Sequence, residues 1–328
     1  MDRAAITQIK TICPGRVSLD VDLGAMSWWE IGGKVRVMAC PASIKEVQQL
    51  RYFAAQQNIP TLILGGMSNL LITDRSIDAL CIRLGNSFAD FDHRPGAATI
   101  GFQSGAWVPM VARALQQRGL SGLEHICGIP GTVGGLVMMN GGSMRRGIGS
   151  HVVTVKSVDR LGNIVSRNRE ECDFAYRSSV FSGQDEVIGE VDLKLEPGDS
   201  EAMRREMIDI LRSRRLKFPR KFPNCGSVFK SNPASYAKFG PPGVLIERMG
   251  WKGAERGDAQ VSPLHANFII NRGRAKAAEI LELIGEIRQS VEEGLGHRME
   301  PEVRFVRSDG RIEDIAQAYR AHLAGAEL

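Results

Sequence analysis

Through the first 200 residues, short β-branched runs alternate with stretches whose apolar positions recur at helical spacing. The run at 34–40, KVRVMAC, predicts a strand. Residues 43–57 predict an amphipathic helix: Ser43 is placed to cap it, and Val47, Leu50 and Ala54 fall on one face. The run at 61–66, TLILGG, predicts a buried strand that ends in glycines. This strand–helix–strand–glycine order is a βαβ-like unit with a loop suited to a ligand. A second helix is predicted over 107–120, with Val108, Val111, Ala112 and Leu115 on one side. Residues 151–171 predict a hairpin turning at Leu161, Gly162 and Asn163, and 186–199 a further strand that Pro197-Gly198 breaks. A helix follows over 202–218. The last third of the chain then predicts a long helix over 274–296 and a closing strand over 300–306.

The change of texture near 198 suggests two parts, 1–197 and 198–328, in line with a length of 328 residues at roughly 150 per domain. The fold class is α/β (α+β). Hydrophobic residues make up 43% and charged residues 24%, which excludes a disordered or fibrous chain. Apolar stretches such as 62–64 or 136–139 fall far short of the ~18 residues that a membrane span needs. The opening MDRAAITQIKTIC lacks the apolar centre of a secretory signal, so the cytoplasm is the expected compartment. Cys13, Cys40, Cys81, Cys127, Cys172 and Cys225 form no C-x-x-C pair, and the six histidines show no ligand spacing, so no metal is expected. Net charge is +5, a weak pointer to nucleic acid that fits anionic small molecules equally well. No nucleic-acid partner is expected.

Two segments could cradle phosphate: 65–71, GGMSNLL, and 128–135, GIPGTVGG. Glycines let backbone amides approach an anion and form a nest, yet the same glycines serve as plain turns. The second segment reads G-x-x-G-x-x-G-G, not the Rossmann G-x-G-x-x-G, and no G-x-x-x-x-G-K-[ST] occurs anywhere.

In order along the chain stand Trp29-Glu30-Ile31-Gly32-Gly33, Leu64-Gly65-Gly66-Met67-Ser68-Asn69-Leu70-Leu71, and Gly128-Ile129-Pro130-Gly131-Thr132-Val133-Gly134-Gly135 followed by Met139-Asn140. Then come Tyr176-Arg177-Ser178-Ser179, Cys225-Gly226-Ser227-Val228-Phe229-Lys230, Gly257-Asp258-Ala259-Gln260-Val261-Ser262, His265-Ala266-Asn267-Phe268 and Pro301-Glu302-Val303-Arg304. From about residue 25 to 306 the chain resembles the UDP-N-acetylenolpyruvoylglucosamine reductases, in their shorter branch. These flavoenzymes complete UDP-N-acetylmuramate for peptidoglycan, and so serve cell-wall biogenesis, cell shape and cell division.

The resemblance implies an FAD-binding region of the vanillyl-alcohol-oxidase (PCMH) type over 1–197, in two lobes split near 85, and a substrate-binding domain over 198–328. It implies non-covalent FAD, because Gly65-Gly66-Met67-Ser68 stands where covalently flavinylated relatives carry an arginine-glycine-histidine attachment loop. NADPH is the implied reductant, a UDP-sugar the implied substrate, and a monomer the implied state. Flavin contacts are implied for Gly65, Gly66, Met67, Ser68, Asn69, Leu70, Gly128, Ile129, Pro130, Gly131, Thr132, Gly134, Gly135 and Asn140. Reduction of an enolpyruvyl ether builds charge on its carboxylate and needs a proton at the neighbouring carbon; the resemblance maps these tasks onto Arg177, Glu302 and Ser227. For the UDP part it suggests Arg214 and Lys217 with Asn232 nearby, although Arg214 and Lys217 read equally as a solvated helix end. Lys230 is implied as a further substrate-binding residue, and Lys217 or Lys230 as a cation beside Ser227. His265 to Phe268 is implied only as a buttress of the substrate domain.

The chain departs from the family pattern at Glu30, at Met67 in the usual all-glycine stretch, at Ser143-Met144-Arg145, at Phe218-Pro219-Arg220 and at Ser231. Such drift would also fit a paralogue acting on a different UDP-sugar or enol ether. A flavin- or nucleotide-binding module without turnover would not need Arg177, Ser227 and Glu302 together. Arg145 and Arg146 read either as a solvated basic face or as attractors of an anionic ligand.

Overall fold

The computed structural model describes residues 1–92 and 99–325. Ser43 accepts the amide of Glu46 and starts the helix Ile44–Gln56, whose buried Val47, Leu50 and Ala54 repeat at helical spacing. This helix links the strands Lys34–Ala39 and Thr61–Leu64. Thr61–Leu64 pairs in parallel with Ile77–Arg83, Thr61 opposite Leu80, in a sheet ordered 17–22, 34–39, 77–83, 61–64. Val37, Ala39, Leu80, Ile82 and Phe88 join the helix's apolar face in one core.

A second, antiparallel sheet runs in the order 164–168, 152–158, 187–194, 99–103, 91–92. The hairpin turns at Gly162 (φ +84°), where the Asp159 carboxylate accepts the amides of Leu161 and Asn163. Helices Val108–Gln117 and Val133–Met138 supply Val111, Leu115, Val133 and Val137 to the core of Phe102, Val155 and Val191. Helix Ser200–Lys217 begins where Asp199 accepts the amide of Ala202, and its Met207 and Ile210 pack against that same core.

By packing, the chain forms two compact units: residues 1–19, 37–66 and 79–214 in one, and 20–36, 67–78 and 215–328 in the other. In the second, helix Ala277–Leu295 buries Ile280, Leu281, Ile284, Ile287 and Val291. The Asp74 carboxylate meets the Ala277 amide at 2.8 Å and so fixes where this helix starts. Two small sheets share its core: 255–256, 259–261 and 269–271, and 312–314, 304–306 and 70–72. In the latter, 304–306 runs parallel to 70–72, with Arg304 opposite Leu70. Trp29, fully buried, donates its indole N–H to the Ile269 carbonyl, and Asn271 donates to the Trp29 carbonyl. Among the described residues, no helix is long and apolar enough to cross a membrane.

Candidate active site

In the first unit, the strand Thr61–Leu64 delivers Gly65 and Gly66 against the segment 128–135. A Cβ on Gly65 would lie 2.5 Å from the Thr132 hydroxyl oxygen, and one on Gly66 would lie 2.7 Å from the Gly131 Cα. Gly134 is as tight, its missing Cβ 2.8 Å from that of Ser104. Val133 and Gly134 donate their amides to the carbonyls of Ala106 and Ser104, and Gly131 gives its carbonyl to Val108. Two backbones thus approach each other where side chains would stand, which is what the glycines at 65, 66, 131 and 134 make possible. Gly128 admits a further close neighbour: its missing Cβ would meet Cδ and Nε of Arg214 at 2.6 and 2.7 Å. Arg214 is half-buried here, and desolvation holds its pKa below the usual arginine range.

Just before this loop, His125 sits fully buried in the turn Glu124–Ile126. Neither ring nitrogen reaches hydrogen-bond geometry among the described residues. Burial, and then the Arg146 charge, push its pKa down to about 4, although Glu124 and the Gly122 backbone favour the proton.

Beyond the loop, Asn140 (φ +41°) uses its side chain on protein: Nδ2 donates to the Ala175 carbonyl, and Oδ1 accepts the Gly149 amide. Ala175 and Ser178 exchange both backbone hydrogen bonds around Tyr176-Arg177. Arg177 adopts φ +53°, a conformation rare for an arginine, and one guanidinium nitrogen donates to the Gly142 carbonyl at 3.2 Å. Asn140 therefore holds one end of the turn that carries Arg177. Arg145 and Arg146 are both exposed, and Arg146 pairs with Glu206 at 2.8 Å.

The second unit gathers Met67 to Leu70, Ser227 and Glu302. Met67 (φ +52°) is buried. The Leu70 and Met67 carbonyls accept the Cys225 thiol at 3.5 and 3.8 Å, and burial raises the pKa of that thiol. Gly226 (φ +81°) then turns the chain and presents Ser227, half-buried. Val228 gives its carbonyl to the Glu302 amide at 2.7 Å, and the Glu302 carbonyl accepts Nδ2 of Asn69 at 2.9 Å. The amide of Arg304 closes the frame on the Asn69 carbonyl. Lys230 follows, bound through its amide to the Glu300 carbonyl, with its ammonium 3.4 Å from the Glu300 carboxylate.

Of the four suggested UDP contacts, Lys230 alone takes part in this frame. Lys217 is exposed at the end of its helix. Asn232 is exposed too, and its side chain accepts the Ala234 amide to cap a short turn. Arg214 belongs to the first unit, while Lys217, Lys230 and Asn232 belong to the second.

Within the segment 265–268, implied as a buttress, Asn267 bonds directly to Val228 and Phe229, the residues after Ser227. A buried polar residue inside a matched motif was the available signal for Asn267; nothing local marks His125. Among the described residues, no group of three or more His, Cys, Asp or Glu side chains could hold a metal.

Two family models match the chain: an FAD binding domain over residues 35–167, and the C-terminal domain of UDP-N-acetylenolpyruvoylglucosamine reductase over 218–306. UDP-N-acetylenolpyruvoylglucosamine reductase 1 of Corynebacterium glutamicum is 43% identical over 90% of this chain and 88% of its own length. The reductase of Heliobacterium modesticaldum is 36% identical over 98% of this chain and all of its own length. The crystal structure of the Thermus caldophilus reductase superposes with a TM-score of 0.73 at 29% identity, covering 88% of this chain and 97% of that one.

Proposed function

The chain belongs to the UDP-N-acetylenolpyruvoylglucosamine reductase family, and on that premise we propose that it uses NADPH and FAD to reduce the enolpyruvyl ether of UDP-N-acetylglucosamine to UDP-N-acetylmuramate, a peptidoglycan precursor. The observation that carries this reading is the frame in which the Asn69 side chain, the Glu302 backbone and the Ser227 turn are tied by hydrogen bonds. It joins a loop suited to a flavin with a hydroxyl and a carboxyl suited to handling a proton.

The match to an FAD binding domain over 35–167 supports FAD, and the absent attachment loop at 65–68 supports a non-covalent link; the residues proposed to hold it are 65–70, 128–135 and Asn140. FAD held there would supply hydride to the substrate's double bond, the electrons coming from NADPH. The planar Arg177 fork suits the substrate carboxylate, where negative charge builds, and its bond to Gly142 restricts its orientation. Ser227 gives the proton to the carbon that bears the ether oxygen. Glu302 serves the same step by donating a hydrogen bond from its carboxyl or by orienting a donor. Lys230 lies closest in sequence to this turn among the residues proposed for the UDP part; Arg214 and Lys217 are the other cations, and Asn232 is a neutral hydrogen-bonding partner. Flavin binding falls to 1–197 and, apart from Arg177, substrate recognition falls to 198–328; a single chain acts in the cytoplasm.

The purified protein is expected to be yellow, to release FAD on mild denaturation, and to bleach when NADPH is added without oxygen. A protein that stays colourless after incubation with FAD contradicts the reading.

A further inference from the structure

Gly226 and Ser227 form a turn that packing alone does not fix. Gly226 sits at φ +81° with no atom within 4 Å of where its Cβ would be, and its amide is held by the Asn224 side chain. The direction of the Ser227 hydroxyl therefore depends on what holds the chain on its far side. There, three hydrogen bonds converge from one residue. Asn267 accepts the Phe229 amide on Oδ1 at 3.0 Å, returns Nδ2 to the Phe229 carbonyl at 2.9 Å, and gives its own carbonyl to the Val228 amide at 2.9 Å. Asn267 is 4% exposed, so these bonds form without competing water. Its own amide is fixed by Nδ1 of His265, which leaves the imidazole proton on Nε2.

We propose that Asn267 is a positioning residue for the proton donor: its side-chain amide fixes the backbone of Phe229 and so aims the Ser227 hydroxyl. The inference rests on the reading of Ser227 as the donor. Asparagine suits the task because one amide both accepts and donates, matching one residue's N–H and C=O together. An ionised aspartate keeps the acceptor and loses the donor. Alanine loses both and leaves two buried backbone groups unpaired.

The test compares Asn267→Asp, Asn267→Ala and Ser227→Ala in the two half-reactions by stopped flow. In both Asn267 variants, flavin content and reduction by NADPH stay near the native values. Reoxidation by the enolpyruvyl UDP-sugar slows about 10–10²-fold, the scale of a misplaced reacting group. The Asn267→Asp rate recovers as pH falls, because burial favours the protonated carboxyl and it can again donate to Phe229, and the Asn267→Ala rate does not. Amide hydrogen exchange over 226–230 rises in both variants. The double variant Ser227→Ala/Asn267→Asp is no slower than Ser227→Ala alone, since the two residues act through one hydroxyl. Equal slowing of both half-reactions, additive effects in the double variant, or loss of flavin from Asn267→Asp would overturn the proposal. Native reoxidation in Ser227→Ala would instead remove the reading beneath it.

Discussion

Replacing Ser227 by alanine is expected to slow reoxidation of the reduced flavin by the enolpyruvyl substrate about 10²–10⁴-fold, the usual worth of a positioned proton donor, while reduction by NADPH stays within about twofold of native. The asymmetry follows from what each half-reaction needs. The reductive half moves a hydride between two cofactors and asks nothing of a hydroxyl. The oxidative half ends with a carbanion-like carbon that must be protonated. Ser227 stands after a glycine turn that Glu302, through Val228, and Asn267 hold in place. The buried side chains beside it, Cys225 and Val228, keep the backbone in place after the substitution. Equal slowing of both half-reactions would reassign Ser227 to binding or to structure.

Acid is expected to destabilise the protein through His125. The ordinary histidine pKa is near 6.5, and burial lowers it to about 4 in the folded chain. The unfolded chain therefore binds a proton that the folded chain refuses between these values. The stability from a neutral His125 is complete above pH ~6.5 and is lost progressively as pH falls toward 4, by about 3 kcal/mol in total. The groups that set the balance are Arg146 and His151, which oppose the proton, and Glu124, which favours it. Urea unfolding at pH 7 and pH 4.5, with the same flavin loading, compares the native protein with His125→Phe. The native protein should lose about 2–3 kcal/mol more than the variant on acidification. Equal losses would show that His125 takes up its proton inside the folded chain at little cost.

Elements written in local periodicity were legible before the structure. The helix read over 43–57 is Ile44–Gln56, and the hairpin read over 151–171 turns at Gly162. The glycine segments read as phosphate-fit loops or turns, but their mutual contact is not legible, because Gly66 meets Gly131 across 65 residues of chain. Helix Val133–Met138 hides inside the glycine-rich stretch, where propensity argues against it. The long helix read from 274 starts at Ala277, because the carboxylate that fixes its first amide comes from Asp74. Strand 70–72 gains its partner, 304–306, from the other end of the sequence. The texture change near 198 marks the start of a charged helix whose Met207 and Ile210 pack with what precedes it, so the compact unit runs on to Arg214. Candidate chemistry was readable as residue types in motifs. The hydrogen bonds that aim those residues, such as Asn140 on the Arg177 turn and Asn267 on the Ser227 turn, join positions that no spacing rule connects.

The most direct measurement is a single anaerobic turnover. The flavin is reduced with one equivalent of NADPH, and the enolpyruvyl ether of UDP-N-acetylglucosamine is added without oxygen. The proposal requires the yellow absorbance to return and one UDP-N-acetylmuramate to form for each flavin reoxidised. A flavin that stays reduced with this ether, while another enol ether reoxidises it, contradicts the assigned substrate; a flavin that no enol ether reoxidises contradicts the reductase itself.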